Sequence, residues 1–323
     1  MPLMMRRAAP ESLGCGTSHR PRAGHTALLE LTIYMSRLRI SAISYLNTVP
    51  LMWDFEHGSA GADFEISYTV PSVCAAALRA ATADIGIIPV AAYAEIPGLV
   101  ILPGVAIAAR RAVRSILLVC KVPLEKVASI ALDASSLTSV ALTRVLFEKW
   151  LGRGRRFTSM APDLETMLRD HDACLVIGDT ALQVDRTRYL TFDLAEEWIR
   201  FTGKPFVFAF WAVRQSALAE PDAALDLPAV FQQSLEHGLE PRSLDSIART
   251  WAPRLHLSED AVRAYLTENI HYSLDPACLE GLGLFYRYAE ECGALPPAPA
   301  LQFLPASSSK SGMTVVTPAP LVI

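Results

Sequence analysis

The chain has 323 residues, of which 51% are hydrophobic and 19% charged, and a formal net charge of −4. That length suits two lobes better than one core, and the apolar content excludes a chain that is disordered throughout. Slight acidity offers no basic face, so no nucleic-acid partner is expected.

Residues 1–36 are rich in Arg, Pro, Gly and Ser and lack sustained periodicity, which predicts a disordered leader, with Met35 a candidate start. Arg6 and Arg7 are not followed by an apolar segment, so an ordinary secretory signal is not read here and a cytoplasmic location is expected. Leu38–Ile43 alternates as a strand, and the polar stretch from Ser44 leads to Pro50, which fits the first turn of a helix. Phe64–Thr69 and Asp84–Ile88 read as strands with a helix Pro71–Ala81 between them, the alternation of a parallel sheet. Residues 85–109 carry Glu95 as their one charge and are long enough to cross a bilayer. Pro89, Pro97, Pro103, Gly98 and Gly104 break that run into short buried strands and turns, so it is read as core and no membrane partner is expected.

Val105–Ala109 and Ser115–Cys120 are β-prone and carry the chain into a second lobe. There the pattern predicts strand Ser129–Asp133, helices Thr138–Trp150 and Asp163–Arg169, strands Ala173–Ile177 and Tyr189–Phe192, and helix Leu194–Phe201. Phe206–Val213 is an apolar run of strand length, and helices including Leu257–Asn269 and Pro276–Glu291 pack back on the first lobe. The expected organisation is therefore a leader 1–36, a first lobe 37–110 plus 214–295, a second lobe 111–213, and a disordered, Pro- and Ser-rich tail 296–323. Two α/β lobes joined by two crossing segments describe a type II periplasmic-binding-protein-like architecture with its site in the cleft between lobes. The six cysteines form no CxxC pair and read as reduced, packed thiols, and no metal or cofactor is expected.

Strand ends in open α/β sheets bind ligands, and three polar clusters fall at such ends. Ser44, Tyr45, Asn47 and Thr48 follow the first strand. Ser135, Ser136, Thr138 and Ser139 precede a helix, where hydroxyls and unpaired N–H groups serve equally as a cap and as an anion site. Gly178 and Asp179 follow another strand, Gly178 permitting close backbone approach and Asp179 being a cap or a ligand contact. Ser115 stands where the second lobe begins. No GxSxG, P-loop, GxGxxG or HExxH motif occurs, and Ser, Thr and Asn bind and polarise but are poor general bases.

These clusters, Ser44-Tyr45-Leu46-Asn47-Thr48-Val49-Pro50-Leu51, Asp84–Val90, Val113–Leu118, Asp133–Leu142, Ile177–Leu182, Pro205–Trp211 and Tyr265–Tyr272, occur in the order seen in the chorismate dehydratases of the futalosine route to menaquinone, which the chain resembles from about 38 to 293. Ala81-Thr82 departs from the usual Gly-Glu, and Arg111-Ala112 from the usual Gly-Pro before the crossing strand. The resemblance implies a carbon–oxygen lyase that needs no cofactor, acts on chorismate and feeds downstream enzymes of that route. It implies that Asn47 and Ser115 are catalytic and that the other cleft residues bind substrate, with the enolpyruvyl carboxylate of chorismate as proton acceptor and Asp179 as the rival base. A transporter's solute-binding protein would share the fold. The related dihydroxynaphthoate synthases carry a different first motif, resembling Ser-Pro-Cys-Pro-Asn-Asp.

Overall fold

In the computed structural model, which describes residues 37–218, 225–305 and the backbone of 314–316, the chain builds two β-sheets. The leader and the far end of the tail lie outside the described residues. The strands are β1 Leu38–Ile43, β2 Phe64–Thr69, β3 Ile85–Pro89, β4 Leu99–Ala109, β5 Ile116–Cys120, β6 Ser129–Asp133, β7 Arg156–Met160, β8 Ala173–Ile177, β9 Leu190–Asp193, β10 Phe206–Arg214, β11 His271–Ser273, β12 Leu301–Phe303 and β13 Thr314–Val316. The larger sheet has the order β13-β12-β4-β10-β3-β1-β2, with β11 also on β4, and the smaller one β7-β6-β8-β5-β9.

β1 runs parallel to β2 and β3, as the alternation of elements predicts. The helix Pro71–Arg79 makes the crossover, with Pro71 in its first turn, where a missing N–H is no loss. The helix Thr138–Leu146 buries Leu142, Val145 and Leu146 and runs on into a π-turn, Phe147–Leu151. From that turn Trp150 stacks on Phe201, with ring centroids 4.7 Å apart.

Three expectations are corrected. β10 belongs to the larger sheet, antiparallel between β3 and β4, so residues 206–213 are not part of the second lobe. Phe206 to Val213 are all buried, which is what a central strand covered on both faces requires. The chain therefore crosses between sheets at 110–115 and at 203–205.

Pro50 does not open a helix. It lies inside a 3-10 turn, Leu46–Met52, followed by a short helix Trp53–His57. The turn begins earlier because Asp179 accepts the N–H of Leu46 at 3.0 Å and so caps it.

The tail is ordered at its start. Leu301 and Phe303 are buried, β12 pairs in parallel with β4, and the Tyr93 hydroxyl donates to Ala300 O at 3.3 Å and accepts from Gln302 N at 3.0 Å. Two alternating apolar side chains are enough to cover the open edge of β4.

The outgoing crossing is tied down on several sides. Asp193 accepts from Val113 N at 3.1 Å and Arg114 N at 2.6 Å while capping the helix Leu194–Thr202 through Ala195 and Glu196. Arg111 Nε donates to Glu268 O at 2.6 Å and Asn269 Nδ2 to Ala112 O at 2.9 Å, so the departure at Arg111 adds a contact to the π-turn Tyr265–Asn269. No helix among the described residues is long and apolar enough to cross a membrane.

Candidate active site

The end of β1, the crossing before β5, the helix beginning at Thr138 and the end of β8 converge on one small cavity, of about 50 Å³, that opens to solvent. Tyr45 and Asn47 line it from the first sheet, and Ser115, Ser136, Thr138, Ser139 and Gly178 from the second, while Ile107 and Phe208 supply apolar wall. Among the described residues that line it there is no Lys, Arg, His, Asp or Glu. An anion held here must use hydroxyls, amides and the N–H groups at the helix start.

The sequence explains each placement. Gly178 has φ +59°, and a Cβ there would meet the Tyr45 ring at 2.7 Å, so the close approach expected of this glycine is with Tyr45. Ser136 Oγ accepts from Ser139 N at 3.2 Å, which makes it the cap of the helix Thr138–Leu146 as well as a wall of the cavity. The Thr138 hydroxyl is already occupied. It donates to Phe208 O at 3.1 Å and accepts from Ala91 N at 3.2 Å, tying this helix to the larger sheet. Ser139 is buried and its hydroxyl makes no hydrogen bond among the described residues.

Asn47 is held through its backbone, whose carbonyl accepts from the Tyr272 hydroxyl at 2.9 Å, and its Oδ1 accepts from Thr48 Oγ1 at 3.4 Å. Tyr265 is buried beside the side chains of Ser115 and Asn47. Burial pushes its phenol up, against the hydrogen bonds to Ser115 and Asn47, so it is a neutral hydroxyl near neutral pH. Ser115 O accepts from Gly178 N at 2.8 Å, which joins the crossing segment to the turn after β8.

Not every expected residue meets the cavity. Ser44 and Thr48 line a neighbouring groove that shares Tyr45 with it, and Ser44 is bonded to Thr69 O through its N–H at 2.9 Å. Ser135 lies one step behind Tyr45, its Oγ 3.5 Å from the Tyr45 hydroxyl and 2.6 Å from Asp133 Oδ1. Asp179 does not line the cavity and instead caps Leu46 from across the cleft; burial raises its carboxyl to about 6, opposed by that hydrogen bond. Sequence reasoning missed Tyr265, Tyr272 and Asp133 as site residues, although all three stand in motif blocks that it had singled out. Elsewhere His271, Asp275 and Cys278 come together, but Asp275 is engaged by His271 Nε2 at 2.6 Å, by Arg110 and, as helix cap, by Cys278 N.

The family model for menaquinone biosynthesis matches residues 38–291. This chain belongs to that family. A chorismate dehydratase of Thermus thermophilus is 30% identical over 275 residues, covering 79% of this chain and 94% of that protein. In fold the chain is similar to protein AF1704 of Archaeoglobus fulgidus, with TM-score 0.59, 14% identity, and coverage of 80% of this chain and 98% of the other. It is also similar to the periplasmic aliphatic sulphonate binding protein of Escherichia coli, with TM-score 0.56, 17% identity, and coverage of 81% and 94%. At those identities the likeness shows the periplasmic-binding-protein fold alone, whereas the family match and the Thermus relative speak to chemistry.

Proposed function

We propose that the cavity binds chorismate and that this enzyme converts it to 3-(1-carboxyvinyloxy)benzoate and water. The observation that carries the mechanism is the wall itself, where hydroxyls, an amide and a helix start surround a site without an ionised side chain. Such a wall holds carboxylates and donates hydrogen bonds but presents no strong base.

Loss of the hydrogen at ring carbon 3 and the hydroxyl at carbon 4 makes the ring aromatic, so the elimination is driven internally and calls for no redox group. A base is still needed for the carbon 3 proton, and the enolpyruvyl carboxylate of the substrate supplies one. Held in one geometry, that flexible arm gains effective concentration, and closure of the lobes removes the water that would solvate it. Asn47 and Ser115 orient the substrate and donate to the charge that develops in the transition state. Ser136, Ser139 and the N–H groups of the helix start take the carboxylates. Asp179 is a less suitable base because it is spent on Leu46 and lies off the cavity wall.

We place the reaction in the cytoplasm and assign its product to downstream enzymes of menaquinone synthesis. The five described cysteines are unpaired, four of them buried, which suits a reducing compartment. The test is purified protein with chorismate alone, in the presence of a chelator, and identification of the product by mass. Formation of the aryl enol ether without added cofactor is expected. Binding without conversion, as by a solute-binding protein, or a requirement for NAD or a divalent metal, would overturn the proposal.

A further inference from the structure

Asp133 ends β6 with 1% exposure, yet its Oδ2 has no hydrogen-bond partner. Its Oδ1 meets the Ser135 N–H at 2.8 Å and the Ser135 hydroxyl at 2.6 Å. The same hydroxyl is 3.5 Å from that of Tyr45, and either of the two oxygens can donate. Tyr45 in turn lines the cavity. A line of oxygens therefore runs from a buried carboxyl to the wall of the site, and the chemistry above leaves it unused.

A carboxylate with one oxygen bare of partners is costly in such a place, whereas the neutral acid leaves only a carbonyl oxygen there. The titratable groups facing it are Tyr45 and the Cys174 thiol of β8, both neutral near pH 7 and neither a source of positive charge. Burial pushes the Asp133 carboxyl up, against its hydrogen bonds with Ser135 and a weaker interaction with the Ile177 backbone, which does not count as a hydrogen bond to Oδ2. In the structure Ser135 Oγ donates across the 2.6 Å contact to Asp133 Oδ1; with the acid protonated on Oδ1 that contact reverses, Asp133 donating to Ser135 and Ser135 to Tyr45.

We propose that Asp133, Ser135 and Tyr45 form a proton-delivery chain that protonates the hydroxyl leaving the substrate. This rests on the reading of the cavity as a chorismate dehydratase site. The pair of electrons of the carbon 3–hydrogen bond becomes the new ring double bond, and the proton goes to the enolpyruvyl carboxylate. The carbon 4–oxygen pair departs with the oxygen, which takes the Tyr45 proton and leaves as water. Tyr45 is refilled from Ser135, and Ser135 from Asp133. The product's carboxylic acid then releases its proton and Asp133 regains one, so the sum is chorismate to product plus water. A wall without a base thus has its complement, an acid set one step behind it. The long Tyr45–Ser135 contact is of the kind that tightens when substrate is bound.

The test compares full-length wild type with Tyr45→Phe, Ser135→Ala and Ser135→Thr, by steady-state turnover of chorismate and by melting temperature. Loss of the chain should lower kcat about 100-fold in Tyr45→Phe and Ser135→Ala, with KM changed by no more than about threefold. Ser135→Thr keeps the hydroxyl and should recover most of kcat, which a role in packing alone would not produce. Wild-type kcat in Tyr45→Phe, or equal losses in Ser135→Ala and Ser135→Thr with unchanged melting, would overturn the chain. Infrared difference spectra of substrate-free wild type and Asp133→Asn at neutral pH supply a second reading. A carboxylic-acid C=O band that the substitution removes is expected, and a carboxylate there instead would also overturn the chain. If wild type made no product, the function would fall while the infrared band still decided the acid.

Discussion

Asp179 reaches across the cleft to Leu46, accepting its N–H at 3.0 Å. Burial lifts its carboxyl from 3.8 to about 6, so between those values the folded state holds a proton that the unfolded chain has lost. Its contribution to stability is therefore complete below the unfolded value and is lost as pH rises through about 6. Asp179→Asn keeps an acceptor for Leu46 but does not titrate. The stability of Asp179→Asn relative to wild type should rise by on the order of 2–3 kcal/mol between pH 4 and pH 7 and then level off. Urea unfolding across that range checks it, since Asp133 and Asp193, whose carboxyls are also raised by burial, are common to both proteins. A flat difference would contradict the burial argument.

Asn47 and Ser115 both line the cavity, and both lie beside Tyr265. Asn47→Ala and Ser115→Ala should each fold normally and bind chorismate, while kcat falls by about 10²–10³, the usual cost of one transition-state donor. Steady-state kinetics with a parallel binding titration separate the two effects. If Asp179→Asn abolished turnover while Asn47→Ala left it untouched, a carboxylate base would replace substrate assistance.

The Thr138 hydroxyl is shared between Phe208 O and Ala91 N. Thr138→Ala should therefore act on stability, costing about 1–3 kcal/mol because it strands a buried N–H and a carbonyl. A direct substrate contact through that hydroxyl would instead raise KM. Melting temperature and KM measured on the same preparation distinguish the two, and Thr138→Ser, which retains the hydroxyl, should recover the loss.

Ala81 has φ +60°, at a position where the chorismate dehydratases usually carry Gly. The left-handed region costs a non-glycine residue about 1–2 kcal/mol, part of which glycine gives back as backbone entropy. Ala81→Gly should stabilise the protein by up to about 1 kcal/mol without altering kcat. Its carbonyl would still accept from Arg39, now at 2.7 Å. A lower melting temperature would show that the αL strain is relieved elsewhere.

Local pattern alone was enough for much of the framework. The apolar alternation of Leu38–Ile43 and Phe64–Thr69, the proline at Pro71 and the capped run Pro276–Glu291 are signals within one element, and each forms where its residues require. Polar groups at strand ends marked Tyr45, Asn47, Ser136, Thr138 and Ser139 as cap or ligand residues alike, and it was the resemblance to the family that singled out the cleft and added Ser115; all six line the cavity. β7 was not read, since Arg156–Met160 is largely exposed and has no buried alternation to betray it.

What only the tertiary structure decided is which distant groups complete that wall. β10 looks from its own residues like any buried strand, and its place between β3 and β4 depends on partners far along the chain. Asp179 meets Leu46 across 133 residues and Tyr272 meets Asn47 across 225. The Thr138 hydroxyl is taken by Ala91 and Phe208, and Leu301 and Phe303 become ordered only because the edge of β4 lies open beside them. Periodicity and capping act within a few residues, so they specify elements and their ends. A hydrogen bond between groups far apart in the chain has no local signature, because the fold alone brings donor and acceptor within reach.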